Sequence, residues 1–325
     1  MKSCFLQITG DHATLEMREI PIPEPRSQQV LVRLRAASLN RGEFITGHGL
    51  QKTGTSKAIG MEGAGEIERL GGGVTTLKVG QRVMGRCAGA FSQYALMDER
   101  EAIAMPTQLT YEEAAAIPLT FLVVHDMLVL QGKLVAGEWV LVTGVSSGVG
   151  VASLQMAKAL GAKVIGTSGS QAKLDALKAH GLDLPLLTRA GDFHDAAMKA
   201  TDGKGVNLVV NTVGGSVFAE CVRTMAFEAR LATVGYVDGQ LSAEIDIQAL
   251  HARRLTLFGV SNKQRTPEQR ASGVPAFIEQ VMPYFAAGRI RPIIDSVYTL
   301  DQLAEAKARM EKNLHVGKIV VVMPA

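Results

Sequence analysis

The run Leu141-Val142-Thr143-Gly144-Val145-Ser146-Ser147-Gly148-Val149-Gly150 joins a short apolar segment to glycines and serines, a combination suited to holding a pyrophosphate. Where such a turn opens a helix, its first backbone N–H groups have no helical partner and favour an anion. Glycine lets the backbone approach the phosphates and lets the helix pack close to the preceding strand. The strict G-x-G-x-x-G spacing is not met, because Val145 and Ser147 stand in the first two glycine positions if Gly150 is the last. Two readings remain. One is a dinucleotide site built on Ser146, Ser147, Gly148, Val149 and Gly150; the other is a tight strand-to-helix turn with no ligand.

The following strand discriminates between cofactors. A carboxylate about 20 residues beyond the turn would bind a ribose 2′-hydroxyl and repel a 2′-phosphate. Here Gly166-Thr167-Ser168-Gly169-Ser170-Gln171-Ala172-Lys173 contains no acid, and none appears before Asp175. Ser168 and Lys173 offer a hydroxyl and a cation to a 2′-phosphate, which selects NADPH. A solvated helix lysine is the competing reading of Lys173. Gly144, Gly148 and Gly150 also fit the G-x-x-x-G-x-G turn of short-chain dehydrogenases. That chemistry needs Tyr-x-x-x-Lys, and Tyr94, Tyr111, Tyr236, Tyr284 and Tyr298 all lack a lysine four residues on.

The elements that must position these groups follow from hydrophobic periodicity. From Cys4 to about Met97 the period is mostly two. Val30, Val32, Leu34 and Ala36 share one strand face, and Arg33 and Arg35 take the other, with Leu31 as the apolar exception. Pro21-Ile22-Pro23-Glu24-Pro25 and Gly71-Gly72-Gly73 punctuate what reads as a β-rich domain. Beyond Pro118 strands alternate with helices: Trp139–Thr143, Lys163–Thr167, Leu184–Leu187, Val206–Asn211, Arg230–Gly235 and Leu255–Val260 are the strands. Helices over Gly148–Leu160 and Ser170–His180 are closed by Gly161 and Gly181. The fold class expected is α/β, a Rossmann-type doubly wound parallel sheet plus a β-rich domain. In the tail, Thr299 and Gln302 have capping-box spacing for a helix from Leu300 to about Lys312. The last strand, Gly317–Val322, is expected to return to the N-terminal domain.

Composition agrees with an ordinary globular enzyme. The chain has 325 residues, 47% of them hydrophobic and 20% charged, with a formal net charge of +3. No long basic run suggests nucleic acid, and no stretch approaches the roughly 20 apolar residues of a membrane span. Cys4, Cys87 and Cys221 are odd in number and widely spaced, so a reducing, cytoplasmic setting without disulfides is expected.

Asn40-Arg41-Gly42-Glu43, Gly60-Met61-Glu62-Gly63-Ala64-Gly65, Val79-Gly80-Gln81-Arg82-Val83, Ala114-Ala115-Ala116-Ile117-Pro118, the glycine turn and Gly317-Lys318-Ile319-Val320 occur in an order that resembles the zinc-free quinone oxidoreductase (zeta-crystallin-like) branch of the medium-chain dehydrogenases/reductases. The resemblance spans nearly the whole chain. It implies a GroES-like catalytic domain, residues 1–120 and 263–325, a Rossmann domain, 121–262, and an active site in the cleft between them. It also implies cofactor contacts from Val213, Gly235, Tyr236, Phe258 and Val260, and from Asn313 in the last helix-to-strand turn. Thr188 stands where relatives often place a tyrosine near the 2′-phosphate, and its neighbour Arg189 offers a cation instead. A homodimer paired through the edge strand Leu255–Val260 is implied as well.

Zinc-dependent relatives need a Cys/His/acid set, but the matching positions hold Asn40 and Met61, and Glu62 alone cannot hold a metal. No metal is expected. Without a Lewis acid, hydride delivery to a quinone or an α,β-unsaturated carbonyl is the easier reaction, because conjugation already activates the carbon. Asn40 is the first candidate for a hydrogen-bond donor to the developing enolate, followed by Arg41 and Thr120. Asn40 as a turn residue that only fixes its loop is the other reading. Phe44, Ile45, Leu50 and Phe91 are candidate pocket residues, and His48 and His125 candidates near the cleft. A non-catalytic NADPH-binding redox sensor is the alternative function.

Overall fold

The computed structural model of the chain describes residues 1–9, 12–44 and 56–324. They form two compact units. The first comprises Met1–Thr120, Pro267–Ala286 and Pro292–Ala325, and the second Phe121–Thr266 with Ala287–Arg291. The stretch 263–325 is thus divided, with 263–266 and 287–291 belonging to the second unit.

The first unit begins with the antiparallel pair β1 (Lys2–Thr9) and β2 (His12–Glu19), β1 also pairing with the short β4 (Ser56–Ala58). Its main sheet uses β3 (Gln29–Ser38), β5 (Glu62–Leu70), β6 (Arg82–Cys87) and β7 (Tyr94–Ala104), all antiparallel neighbours. β3 pairs with β7 as well as β5, which closes these four strands on themselves. Closure explains why the one-sided pattern read for β3 is incomplete. Leu31 and Ala37 lie on the second face and are as buried as Val30, Val32, Leu34 and Ala36. Beyond Gln29 at the strand's start, Arg33 and Arg35 reach partial exposure by way of their long stems.

The second unit is a six-stranded parallel sheet: β8 (Trp139–Thr143), β9 (Lys163–Ser168), β10 (Leu184–Leu187), β11 (Val206–Asn211), β12 (Met225–Thr233) and β13 (Thr256–Gly259). The spatial order β10-β9-β8-β11-β12-β13 reverses direction between β8 and β11. Such a reversal leaves a crevice beyond the carboxyl ends of the two strands, where doubly wound sheets take their ligands. The fifth strand is longer and earlier than the expected Arg230–Gly235, starting at Met225 and ending at Thr233. The helix Gly148–Ala159 follows β8 directly, and Gly161 past its end has φ +84°.

The chain then returns to the first unit through β14 (Ile294–Thr299) and β15 (Lys318–Val322). β15 pairs antiparallel with β3, Val320 opposite Ser38, as expected for the final strand. The capping pair is present, with the Thr299 amide donating to Gln302 Oε1 at 3.0 Å. The first turn it opens, Leu300–Gln302, is 3₁₀ rather than α, and the α-helix itself runs Leu303–Glu311.

Candidate functional site

In the second unit, the glycine turn leaves β8 at the point where the sheet reverses. Gly144 has φ +64°, and Ser147 caps the helix by accepting a hydrogen bond from the Gly150 amide at 3.1 Å. A Cβ on Gly150 would stand 2.5 Å from the Gly144 carbonyl oxygen and 2.6 Å from that of Val145. Glycine is therefore required for the helix to sit this close to the strand. Ser146, Ser147, Gly148 and Val149 are all partly exposed at that helix start.

Across the reversal, Thr143 and Asn211 are register partners. The Thr143 hydroxyl donates to Asn211 Oδ1 at 3.1 Å, and the Asn211 amide donates to the Gly214 carbonyl at 2.9 Å. Asn211 Oδ1 in turn accepts the Val213 and Gly214 amides, each at 3.1 Å. This wholly buried asparagine bends the chain after β11 and so places Val213. Beyond β12, Asp238 accepts the Ser216 and Gln240 amides at 2.8 and 2.9 Å, and its carboxylate occupies the space a Cβ on Gly214 would take. Gly235 and Tyr236 lie on the partly exposed segment between Thr233 and Asp238, with Phe258 and Val260 at the end of β13. The sequence reading missed Asn211, Thr143 and Asp238. A polar residue ending an otherwise apolar strand was the available signal.

At the end of β9, Ser168 is buried and accepts the Ser170 amide at 3.3 Å. Its hydroxyl is thereby part of the turn that starts the helix Gln171–Lys178, on which Lys173 is half-buried. The stem and Nε of Arg189 lie directly over Gly169, in the space a side chain there would fill. Thr188 instead turns away, donating to Asp192 and accepting the Ala190 amide at 3.0 Å.

In the first unit, a buried polar cluster surrounds Asn40. Lys318 Nζ donates to Glu62 Oε1 at 3.0 Å, Asn40 Oδ1 at 2.7 Å, the Leu39 carbonyl at 3.0 Å and Thr120 Oγ1 at 3.3 Å. Glu62 Oε1 also accepts from Ser38 at 2.6 Å, and Oε2 accepts the Leu119 amide at 2.7 Å. Asn40 Nδ2 donates to Glu43 Oε1 and Glu62 Oε1, both at 2.9 Å. Both amide hydrogens of Asn40 are engaged, so it braces the cluster and has no donor left over for a substrate. To donate to a substrate, Asn40 would have to give up one of these two bonds. Arg41 is engaged elsewhere too: its Nη2 donates to the Met310 carbonyl at 2.7 Å and to Asn313 Oδ1 at 2.6 Å, closing the end of the last helix. Asn313 itself sits at φ +54° in that turn. Thr120 is different, because its oxygen accepts from Lys318 while its own hydrogen meets no acceptor among the described residues.

Glu43 completes this cluster. Burial pushes its carboxyl up to about 8, against the bond from Asn40, with the Glu62 charge adding to the rise and Lys318 opposing it. A cavity of about 300 Å³ is lined by Glu43, Met61, Arg86, Cys87, Glu101 and Arg270 among others. Phe44 and Phe91 do not line it. Both are buried in the core, their ring centroids 6.1 Å apart. Ile45, His48 and Leu50 lie outside the described residues, and His125 is buried.

The zinc question turns on the donors present. Asn40 has its amide engaged, Met61 offers a thioether, and the lone carboxylate of Glu62 already takes four hydrogen bonds. This set does not fit a zinc ion. Among the described residues no group of three or more His, Cys, Asp or Glu side chains could hold a metal.

Two domain families match. Residues 26–107 fit the alcohol dehydrogenase GroES-like domain and residues 148–277 the zinc-binding dehydrogenase domain, together more than half of the chain. The chain belongs to the medium-chain dehydrogenase/reductase family. Solved structures of family members resemble it throughout. Mycobacterial Rv1454c complexed with NADPH is 26% identical with a TM-score of 0.88, over 99% of this chain and 100% of that one. A quinone oxidoreductase of Pseudomonas syringae pv. tomato is 26% identical with a TM-score of 0.87 over the same shares. The CurK enoyl reductase is 25% identical with a TM-score of 0.85, over 98% of this chain and 99% of that one. Among curated sequences the first matches are polyketide synthases, of whose length this chain spans only 12 to 14%. As a member of this family the chain has an oxidoreductase fold with a nicotinamide-type cofactor domain. No described helix is long and apolar enough to cross a membrane.

Proposed function

We propose that the chain is a zinc-independent, NADPH-dependent reductase of quinones or α,β-unsaturated carbonyls. The observation that carries this reading is the saturation of the Asn40–Glu62–Lys318 cluster, which leaves no ligand set for a Lewis acid among the described residues. A substrate activated by its own conjugation fits such a site better than an isolated carbonyl. Similarity to a quinone oxidoreductase and an enoyl reductase supports the same acceptor classes.

NADPH when bound supplies the hydride. Ser146, Ser147, Gly148, Val149 and Gly150 would hold its pyrophosphate at the helix start. Ser168, Lys173 and Arg189 would face the 2′-phosphate, with no carboxylate between Gly166 and Lys173 to repel it. Val213, Gly235, Tyr236, Phe258 and Val260 would flank the ribose and nicotinamide. Thr120, oriented by Lys318, offers its uncommitted hydroxyl hydrogen to the substrate oxygen, and Glu43 stores a proton nearby at neutral pH.

The test is NADPH oxidation, followed at the nicotinamide absorbance, against quinones and enones, with NADH and a chelator as controls. Chelator-resistant turnover that prefers NADPH is expected. Loss of activity to chelator, restored by zinc, would overturn the metal-free mechanism. Tight NADPH binding with no turnover would favour the redox-sensor alternative.

A further inference from the structure

Arg86 stands directly opposite Glu62 in the β5–β6 register, and opposed residues of an antiparallel pair project from the same face. Glu62 is the natural ion-pair partner across the strands, yet both of its oxygens are engaged by Ser38, Asn40, Lys318 and the Leu119 amide. Arg86 is left half-buried, with only longer-range charge interactions and no side-chain hydrogen bond or ion pair among the described residues. Burial, and then the neighbouring Arg270, hold its guanidinium below the usual arginine range.

The carboxylates of Glu101 and Glu62 act on it at longer range, without a hydrogen bond or ion pair to it among the described residues. Asp98 is gripped by Arg100 through both oxygens, at 2.8 and 2.6 Å. Glu101 lies 3.6 Å from Arg270. Glu43 is protonated through the neutral range. A guanidinium fork with no hydrogen-bonded partner among the described residues, facing a cavity of about 300 Å³ that Arg270 and Lys57 also line, is matched by a planar anion that takes two parallel N–H bonds. The volume is at the small end for ligand sites.

We propose that Arg86 anchors a carboxylate on the substrate, so that the preferred acceptors are conjugated carbonyl compounds bearing an acid group. This rests on the reductase reading for the word substrate, while the anion site stands on the geometry of the cavity alone. Because Glu62 accepts from Asn40 and from Lys318, which also donates to Thr120, an acid held at Arg86 would fix the conjugated end beside that cluster.

The probes are trans-4-oxopent-2-enoate and its methyl ester, measured by calorimetric titration and by kcat/KM with NADPH. Wild type should favour the acid at least tenfold, and Arg86→Gln should collapse the acid-to-ester ratio towards one. Arg86→Lys, which keeps the charge but loses the fork, should fall between them and controls for misfolding. A ratio unchanged in Arg86→Gln overturns the anchor, as does displacement of the acid by equimolar inorganic phosphate. Arg86-dependent binding of the acid without turnover keeps the anion site and removes the reductase. Equal turnover of acid and ester by wild type keeps the reductase and removes the anchor. No binding of the acid and no turnover of either acid or ester overturns both.

Discussion

Lys318 Nζ lies 3.0 Å from Glu62 Oε1 although 256 residues separate them, and both side chains are almost wholly buried. The pair ties the last strand to the sheet that presents Asn40. A buried pair adds little net stability over an apolar replacement, but removing one partner strands the other charge, at about 3–5 kcal/mol. Lys318→Met should therefore lower the unfolding free energy measured in urea by that order, and Lys318→Met with Glu62→Gln should recover a substantial part. A double variant no more stable than Lys318→Met would show that the lysine acts through packing and its bonds to Leu39 and Thr120 instead.

Glu43 gives the protein a specific pH dependence. Its carboxyl titrates at about 8 when folded, against an ordinary value of 4.5. Between those values the folded chain keeps a proton that the unfolded chain has released, so stability present below 4.5 declines as pH rises through 8. The whole effect is at most about 5 kcal/mol. Glu43→Gln should remove it, so that the variant gains on wild type as pH is raised from about 5 to about 9. Urea unfolding at a series of pH values measures the difference, and a constant gap between the two proteins would refute the assignment.

What was legible in the sequence was what short-range physics dictates. Apolar runs closed by Gly161 and Gly181 mark the second unit's strands and helices to within a few residues, since period and terminator are local signals. The second face of β3 was hidden because Leu31 reads as an exception until β7 is known to close the sheet over it. The polar cluster was hidden for a different reason. Glu43, Glu62 and Lys318 each look like an ordinary charged residue, and only tertiary pairing makes them a buried unit. Asn40 was found by its position, but its saturation by Glu43, Glu62 and Lys318 is a property of the packed site. Arg86 gives no local sign of lacking a partner.

Gly150 tests the cofactor turn as a whole. With carbonyl oxygens 2.5 and 2.6 Å from its would-be Cβ, Gly150→Ala must push the helix away from the turn. Overpacking of this kind costs roughly 1–3 kcal/mol. Melting temperature should fall, and NADPH and NADH should weaken together if, as proposed, the turn holds the pyrophosphate they share. Unaltered binding of both, by nicotinamide fluorescence titration, would place the dinucleotide elsewhere.

Arg189 should separate the two cofactors. Its stem crosses Gly169 at the end of β9, where a 2′-phosphate distinguishes NADPH from NADH. Arg189→Gln removes the charge, and Gly169→Ala displaces the side chain while keeping it. Charge-assisted bonds to a phosphate are worth about 1.5–3 kcal/mol, so each variant should weaken NADPH roughly tenfold or more relative to NADH. Lys173→Ala should shift the ratio in the same direction. If Gly169→Ala leaves the ratio intact while Arg189→Gln lowers it, the guanidinium reaches the phosphate from a second position. Equal losses for the two cofactors in all three variants would instead mean that neither cation touches the 2′-phosphate, and selectivity would then rest on Ser168 and the absence of an acid before Asp175.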